Sequence, residues 1–153
     1  MRDSGMVEGF GIEPFDGIDF QNLYEQFKII GDRAEFEKII TSCGYINIDY
    51  RDVINFLSKD VANYVVAGCG EVISEALDSA IGKLPFSATD TSSLLMQIFI
   101  PEERPTQMEE VRQLTEFVRK MSPTVELCFG VARDKTLIDK IKVILVATES
   151  AKG

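Results

Sequence analysis

The sequence predicts an α+β domain, a two-layer α/β sandwich in which a mixed four-stranded sheet carries its helices on one face, preceded by an N-terminal helical extension. Three observations predict this fold class. Two apolar runs of strand length alternate with segments of helical periodicity. Two further strand-like runs stand close together near the C-terminus. The length of 153 residues suits one domain and leaves little room for a second.

Residues 1–44 are expected to form an N-terminal arm and helix. Residues 1–18 lack periodicity and contain several glycines and a proline, which is typical of an irregular lead-in. Asp19 can cap a helix whose apolar side chains recur at spacings of three and four. Gly31 interrupts this stripe and Asp32 can cap it again, so we expect one broken helix or two short ones. The stripe comprises Phe20, Leu23, Tyr24, Phe27, Ile30, Phe36, Ile39 and Ile40.

Residues 45–153 are expected to form the sandwich domain itself. A brief extended piece precedes a short helix, and the elements after it are a strand at 61–67, a helix at 72–81, a strand at 94–100, a helix at 106–121 and strands at 125–132 and 141–148. The unbroken apolar run of the second strand is typical of a central position. The strand–helix–strand order favours right-handed parallel crossovers. The last two strands, joined by a charged turn containing Asp134, Lys135 and Asp139, can close as a hairpin.

The composition excludes several classes of function. Lys and Arg total 16 against 25 Asp and Glu, a net charge of −9, so general nucleic-acid binding and direct membrane contact are not expected. The absence of His removes imidazole bases and most nitrogen-ligated metal sites. Cys43, Cys69 and Cys128 are scattered and form no CxxC, as in reduced cytosolic proteins. We therefore expect a cytoplasmic protein without a metal or a cofactor.

Gly68-Cys69-Gly70 is the one candidate in the sequence for a phosphate-binding turn. It has two glycines, and no Lys-Ser/Thr pair follows it. A helix N-terminus can bind an anion weakly. We interpret the segment as a tight strand-to-helix turn and reject it as a nucleotide site.

One segment resembles a known functional loop. Read with Gly44 in front, it is Tyr45-Ile46-Asn47-Ile48-Asp49-Tyr50-Arg51-Asp52-Val53. This is similar to the synergy loop of FtsZ, the bacterial tubulin homologue, whose pattern is roughly G-L-I-N-x-D-F-A-D-V. Further matches to the C-terminal domain of FtsZ are Gly70-Glu71 with the helix after it, Phe129-Gly130, and the run at 143–148. The resemblance spans about residues 36–148.

The resemblance implies a role in trans for Asn47, Asp49 and Asp52. In FtsZ this loop reaches the nucleotide pocket of the neighbouring subunit, where its carboxylates position the water that attacks the γ-phosphate. The residue types also allow a simpler interpretation. Asp49 can be an N-cap, Asp52 an acid favoured by the helix dipole, and Asn47 a turn residue. Both interpretations stay open at this point.

The sequence has no G-G-G-T-G-T-G segment, the turn that wraps the phosphates in the GTPase domain of FtsZ. We therefore expect no enzyme, but an assembly or interaction module of bacterial cell division. Its partner would be an FtsZ-type GTPase subunit or a second copy of the chain. Two alternatives are a stand-alone oligomeric regulatory or ligand-binding domain of the same fold, and one half of a split FtsZ-type GTPase. If no other domain covered it, the aromatic stripe of the N-terminal helix would be a further interface.

Overall fold

The computed structural model describes residues 19–41, 50–87, 90–104 and 125–149, the backbone of residues 44–46, and helical positions at 109, 112–114, 116 and 120. Its helices are α1 Phe20–Gln26, α2 Arg33–Thr41, α3 Tyr50–Phe56 and α4 Ile73–Ile81. Its strands are β1 Ile29–Gly31, β2 Gly44–Ile46, β3 Asn63–Gly70, β4 Thr91–Pro101, β5 Glu126–Asp134 and β6 Ile141–Glu149.

The described strands form one mixed sheet in the order β1-β3-β6-β4-β5-β2. β6 lies between β3 and β4 and runs antiparallel to both. β4 and β5 are parallel neighbours. The four predicted strands are confirmed and occupy the centre. The predicted strand number is wrong, because β1 joins β3 in parallel at one edge and β2 pairs with β5 at the other, giving six strands.

Strand β1 replaces the part of the predicted helical stripe that contains Ile30. Gly31 has a φ of 127°, a left-handed conformation that interrupts a helix and favours glycine. A Cβ atom at Gly31 would lie 2.3 Å from the carbonyl oxygen of Val65, so glycine also permits the close approach of β1 to β3. Two short helices therefore flank the strand. Asp19 and Asp32 cap them as predicted, accepting hydrogen bonds from the backbone N–H groups of Asn22 and Ala34.

The predicted hairpin between the last two strands is wrong. β6 is not the neighbour of β5 but lies between β3 and β4. Its Ile144 is opposite Ala67 of β3 on one side and opposite Gln97 of β4 on the other. The reason is that β6 is buried on both faces of the sheet. Nearly every side chain from Ile141 to Thr148 is buried, and only a central strand can satisfy such a run. The predicted central position of β4 is confirmed, since β4 pairs with both β5 and β6.

Alternate side chains of the central strands enter two separate cores. On one face, Met96, Ile98 and Leu145 pack with the apolar side of α4 and with Leu114. Leu114 is one of the few described positions of the helix predicted at 106–121. Sheet and crossover helix thus form the predicted two-layer α/β sandwich. The prediction that the helices lie on one face of the sheet is wrong, because on the opposite face Leu95 and its neighbours pack against α1, α2 and α3.

The aromatic stripe of the N-terminal helices belongs to this second core. Phe36 is completely buried, and Leu23 and Phe27 are nearly so. Two polar contacts add to the packing: the Tyr24 hydroxyl donates to Glu37 at 2.5 Å, joining α1 to α2, and Lys142 of β6 pairs with Glu35 at 2.5 Å. Ordinary core packing is therefore confirmed for the stripe, and these side chains require no partner to cover them.

Gly68 and Gly70 lie within β3, where sequence reasoning predicted a turn. Their role is to let α4 approach the sheet. A Cβ atom at Gly68 would stand 2.4 Å from the backbone nitrogen of Ala80, and one at Gly70 would stand 2.6 Å from that of Ala76. The helix backbone thus lies directly on these two residues.

We expect Gly68→Ala to lower the free energy of unfolding by about 1–3 kcal/mol, because the added methyl group has to push α4 away from β3. Gly82→Ala is the matched control. Gly82 is the C-cap of the same helix and has ordinary right-handed helical backbone angles. A Cβ atom at Gly82 would lie no closer than 3.4 Å to another atom. Urea unfolding followed by circular dichroism gives both values, and equal losses in the two variants would contradict this account.

Candidate functional site at the ends and edge of the sheet

The structure places one of the three predicted site residues. Asn47 and Asp49 lie outside the described residues. Asp52 lies in the first turn of α3 and is half-buried. An acid at this position is favoured by the helix dipole, as the simpler interpretation expects. A water-positioning role for the three residues stays a prediction.

Helix α3 follows the edge strand of the sheet in sequence and packs against β4. The strand before it, β2, pairs with β5, with Gly44 opposite Ala132 and Ile46 opposite Val131. Val53 is completely buried and fixes the helix against the core. Tyr50 remains 37% exposed at the start of the helix. Strand β2 is thus the outermost described strand at this edge of the sheet, and α3 begins four residues after it.

Sequence reasoning missed a cleft at the carboxyl ends of β4 and β5. The cleft has a volume of about 490 Å³, and Lys38 from the last turn of α2 and Phe99 from β4 are among its lining residues. The Lys38 ammonium lies 2.6 Å from the carboxylate of Asp134 and 4.8 Å from the centre of the Phe99 ring. Asp134 also accepts hydrogen bonds from the backbone N–H and the hydroxyl of Thr136, at 2.9 and 2.6 Å.

These contacts decide the charge state of Asp134. Burial raises the pKa of this carboxyl, but hydrogen bonds from Lys38 and Thr136 outweigh burial and lower the pKa to about 2. The carboxylate is therefore ionised and paired at neutral pH. A general acid or base needs a pKa near the working pH, so Asp134 is suited to holding the cleft together and not to proton transfer.

Arg133 fixes the turn on the opposite side of the same cleft. Its guanidinium donates to the carbonyl of Pro101 at 2.9 Å and also to the carbonyls of Glu102 and Arg104. Arg104 in turn donates to the carbonyl of Glu71, at 2.8 Å, in the turn after β3. The ends of β3, β4 and β5 are thereby tied together. Residues that meet here are far apart in sequence, and the charged turn at Asp134 was the only local signal.

The sequence comparison and the structure comparison with known proteins both find FtsZ. The chain is 30% identical over 116 residues to cell division protein FtsZ 1 of Thermococcus kodakarensis, a match that covers 72% of this chain and 31% of that protein. No family model matches the chain. An empty FtsZ dimer of M. jannaschii superposes with a TM-score of 0.62 at 23% identity, covering 74% of this chain and 34% of that one. The chain is similar to the C-terminal part of FtsZ.

A second kind of solved structure shares the fold. TubZ of Bacillus thuringiensis serovar israelensis, in GDP-form protofilaments, superposes with a TM-score of 0.54 at 10% identity, covering 71% of this chain and 31% of that one. This chain thus spans about a third of the length of the FtsZ and TubZ chains it matches. The predicted resemblance and the two-layer α/β fold class are confirmed: the fold is that of the matched part of FtsZ.

Two further points concern membrane-spanning helices and the division of the chain into domains. Within the described ranges, no helix has the length and apolar character needed to cross a membrane. The proposed division into an N-terminal part at 1–44 and an FtsZ-like domain at 45–153 stays a prediction. The structure adds that α1 and α2, from the first part, pack on the sheet of the second.

We expect Asp134→Asn to cost about 2 kcal/mol of unfolding free energy at pH 7, because the pKa of Asp134 falls from an ordinary 3.8 to about 2 on folding. A carboxyl group whose pKa is lower in the folded state than in the unfolded state stabilises the fold at pH values above its unfolded-state pKa. The difference from wild type should therefore persist down to about pH 4 and shrink as the pH falls towards 2. Urea titrations at several pH values measure it. Asp139→Asn, at an exposed position of the same turn, should stay within about 0.5 kcal/mol of wild type at pH 7.

Proposed function

We propose that this chain is an assembly module of the FtsZ type that acts in bacterial cell division. It presents the segment Asn47–Asp52 to the GTP-binding face of an FtsZ-type partner subunit, and it has no catalysis of its own. The observation that carries the proposal is the 30% identity to an FtsZ over 72% of the chain. Asn47, Asp49 and Asp52 supply polar groups, in trans, to the attacking water of the partner's GTP.

The position of α3 supports this proposal. A module that completes the pocket of another subunit has to present its loop on a rigid element at an accessible boundary. Helix α3 begins just after the edge strand β2, Val53 anchors it in the core, and Tyr50 and Arg51 are exposed beside Asp52. The carboxylate of Asp52 is thus carried by a packed helix that begins four residues after the edge strand.

The coverage of the sheet bears on the alternative of a split GTPase. Both faces of the sheet are packed against helices of the chain itself. Among the described residues, the large apolar side chains that remain exposed are Ile30, Tyr50 and Ile138. A separately encoded nucleotide domain would therefore find no broad apolar face in this region to dock on. A module that folds alone and binds through an edge fits this arrangement better.

The first prediction is that the isolated chain hydrolyses no GTP above the buffer blank. The chain lacks the glycine-rich phosphate turn, and Asp134, whose pKa is strongly shifted, is a paired carboxylate. Phosphate release measured over a range of magnesium concentrations, with full-length FtsZ as the positive control, provides the test. Turnover that rises in proportion to the concentration of this chain would contradict the absence of catalysis.

The second prediction concerns the mixture with full-length FtsZ from the same organism. Adding the chain should change both GTP turnover and the amount of polymer pelleted by centrifugation. Where the chain completes a pocket, replacing a carboxylate that orients the attacking water should reduce the added turnover by a factor on the order of 100. Asp49→Ala and Asp52→Ala should therefore each lose the effect on turnover.

Asp78→Ala is the matched control, because Asp78 is an exposed acid on α4, which packs on the opposite face of the sheet. It should behave as wild type. Asp52→Asn keeps the size of the side chain and separates loss of charge from loss of packing. If the mixture behaves like FtsZ alone at every ratio, or if Asp78→Ala acts as strongly as Asp52→Ala, the proposal fails.

A further inference from the structure

The first turn of α3 carries an arginine where the FtsZ pattern has an alanine. In the segment similar to G-L-I-N-x-D-F-A-D-V, the residues Tyr50-Arg51-Asp52 stand at the positions of F-A-D. A methyl group is thus replaced by a guanidinium, which is always charged and has five N–H donors. In sequence, this cation lies between Asp49 and Asp52, the two acids to which the resemblance gives a role at the partner's GTP.

Arg51 points away from the core. Val53, two residues later, is completely buried. Successive residues of a helix are about 100° apart, so the side chains of Arg51 and Val53 lie on nearly opposite sides of α3. Arg51 is accordingly exposed, whereas Asp52 between them is half-buried. The first turn of α3 therefore presents a cation to the solvent next to a partly buried carboxylate.

Arg51 also differs from the other described arginines in having no contact within the chain. The others contact an aromatic ring, backbone carbonyls or carboxylates: Arg33, Arg104, Arg112 and Arg133. Among the described residues, Arg51 has no hydrogen bond, ion pair or ring contact, although the chain has 25 acids against 16 basic residues. An exposed arginine needs no explanation by itself. The position of this one, beside a candidate site for phosphate chemistry, gives it a function.

A cation at this position suits the reaction in the partner's pocket. When GTP is hydrolysed, the water oxygen bonds to the γ-phosphorus, the bond from that phosphorus to the β–γ bridging oxygen breaks, and the electron pair of that bond stays on GDP. Both protons of the water end on the released phosphate. Negative charge spreads over the γ-phosphoryl oxygens in the transition state, and an arginine supplied in trans stabilises it. Carboxylates cannot do this, because their charge has the same sign.

We propose that Arg51 is a catalytic residue in trans. Its guanidinium contacts the γ-phosphate of GTP in the FtsZ-type partner and stabilises the charge of the transition state. This inference rests on the proposed function, since that function places the start of α3 at the partner's nucleotide. It adds a positive group to the acids that orient the water, so that the chain supplies both charges that the reaction uses.

Turnover of full-length FtsZ from the same organism, titrated with the chain, separates catalysis from docking. Arg51→Ala, which restores the residue of the family pattern, should lower the added turnover at saturation at least about ten-fold. The concentration of chain that gives half of the effect should stay within about two-fold of wild type. Arg51→Lys keeps the charge without the planar guanidinium and should recover only part of the turnover.

Asn55→Ala is the matched control, because Asn55 is exposed one turn later on the same side of α3. It should behave as wild type in the same titration. Circular dichroism verifies that all variants fold.

A transition-state mimic supplies a second readout, which a merely structural role would not change. GDP with aluminium fluoride imitates the γ-phosphoryl group during transfer, and such mimics bind tightly where a site stabilises the transition state. The wild-type chain should co-sediment more tightly with FtsZ that holds GDP and aluminium fluoride than with FtsZ that holds GDP alone. Arg51→Ala should lose this preference, whereas a loss of packing would weaken both complexes equally.

The outcomes distinguish this inference from the proposed function. If the wild-type chain leaves the turnover of FtsZ unchanged, the proposed function fails and the role of Arg51 fails with it. If Asp52→Ala loses the effect while Arg51→Ala keeps full turnover and the preference for the mimic, only the role of Arg51 is overturned. A defect of Arg51→Ala that a higher concentration of the chain removes would make Arg51 a docking contact, which also overturns its catalytic role.

Discussion

Burial of β6 between β3 and β4 is the constraint on which the rest of the structure depends. Its side chains are apolar on both faces, so a row of helices has to cover each side of the sheet. Helix α4 and Leu114 meet this requirement on one face, and α1, α2 and α3 meet it on the other. As a result, the boundaries that the described residues leave open to partners are the edges and ends of the sheet, where β2 and the cleft lie.

A single buried amide joins this centre to the N-terminal segment. Asn63 is completely buried at the start of β3, and its side-chain NH₂ donates to the carbonyls of Lys28 and Ser58 at 3.0 and 2.9 Å. Its oxygen accepts from the backbone of Ser58 and from the hydroxyl of Thr148, both at 2.9 Å. Every hydrogen bond such an amide can make is therefore used. The network fixes the start of β1 and the end of β6 to the same point.

The sequence predicted those parts of the fold that are encoded locally. The four long strands appeared as apolar runs, and Asp19 and Asp32 appeared as caps. The three residues of β1 form no run that periodicity can detect, and their strand state depends on pairing with β3. The neighbours of β6 were missed for a related reason, because an apolar run indicates that a strand is central without naming the strands beside it.

The two candidate functional regions also differ in how far the sequence alone can indicate them. The loop from Asn47 to Asp52 is a contiguous motif, so a resemblance can indicate it from the order of its residues alone, and Asp52 is indeed found at a helix start. The Lys38–Asp134 pair joins residues 96 positions apart, and only the folded sheet brings them together. A charged turn in a sequence indicates solvent exposure by default, whereas Asp134 has a side chain only 8% exposed.

The place of β6 in the sheet also has a consequence for synthesis. Strand β6 lies between β3 and β4 and is the last of the described strands in sequence, so β3 and β4 cannot acquire their shared neighbour until residues 141–149 have left the ribosome. Until then, both strands have unpaired backbone edges and exposed apolar side chains, the features that favour aggregation in nascent chains. Because the pairings of β6 are long-range in sequence, we expect the centre of the sheet to close late in synthesis.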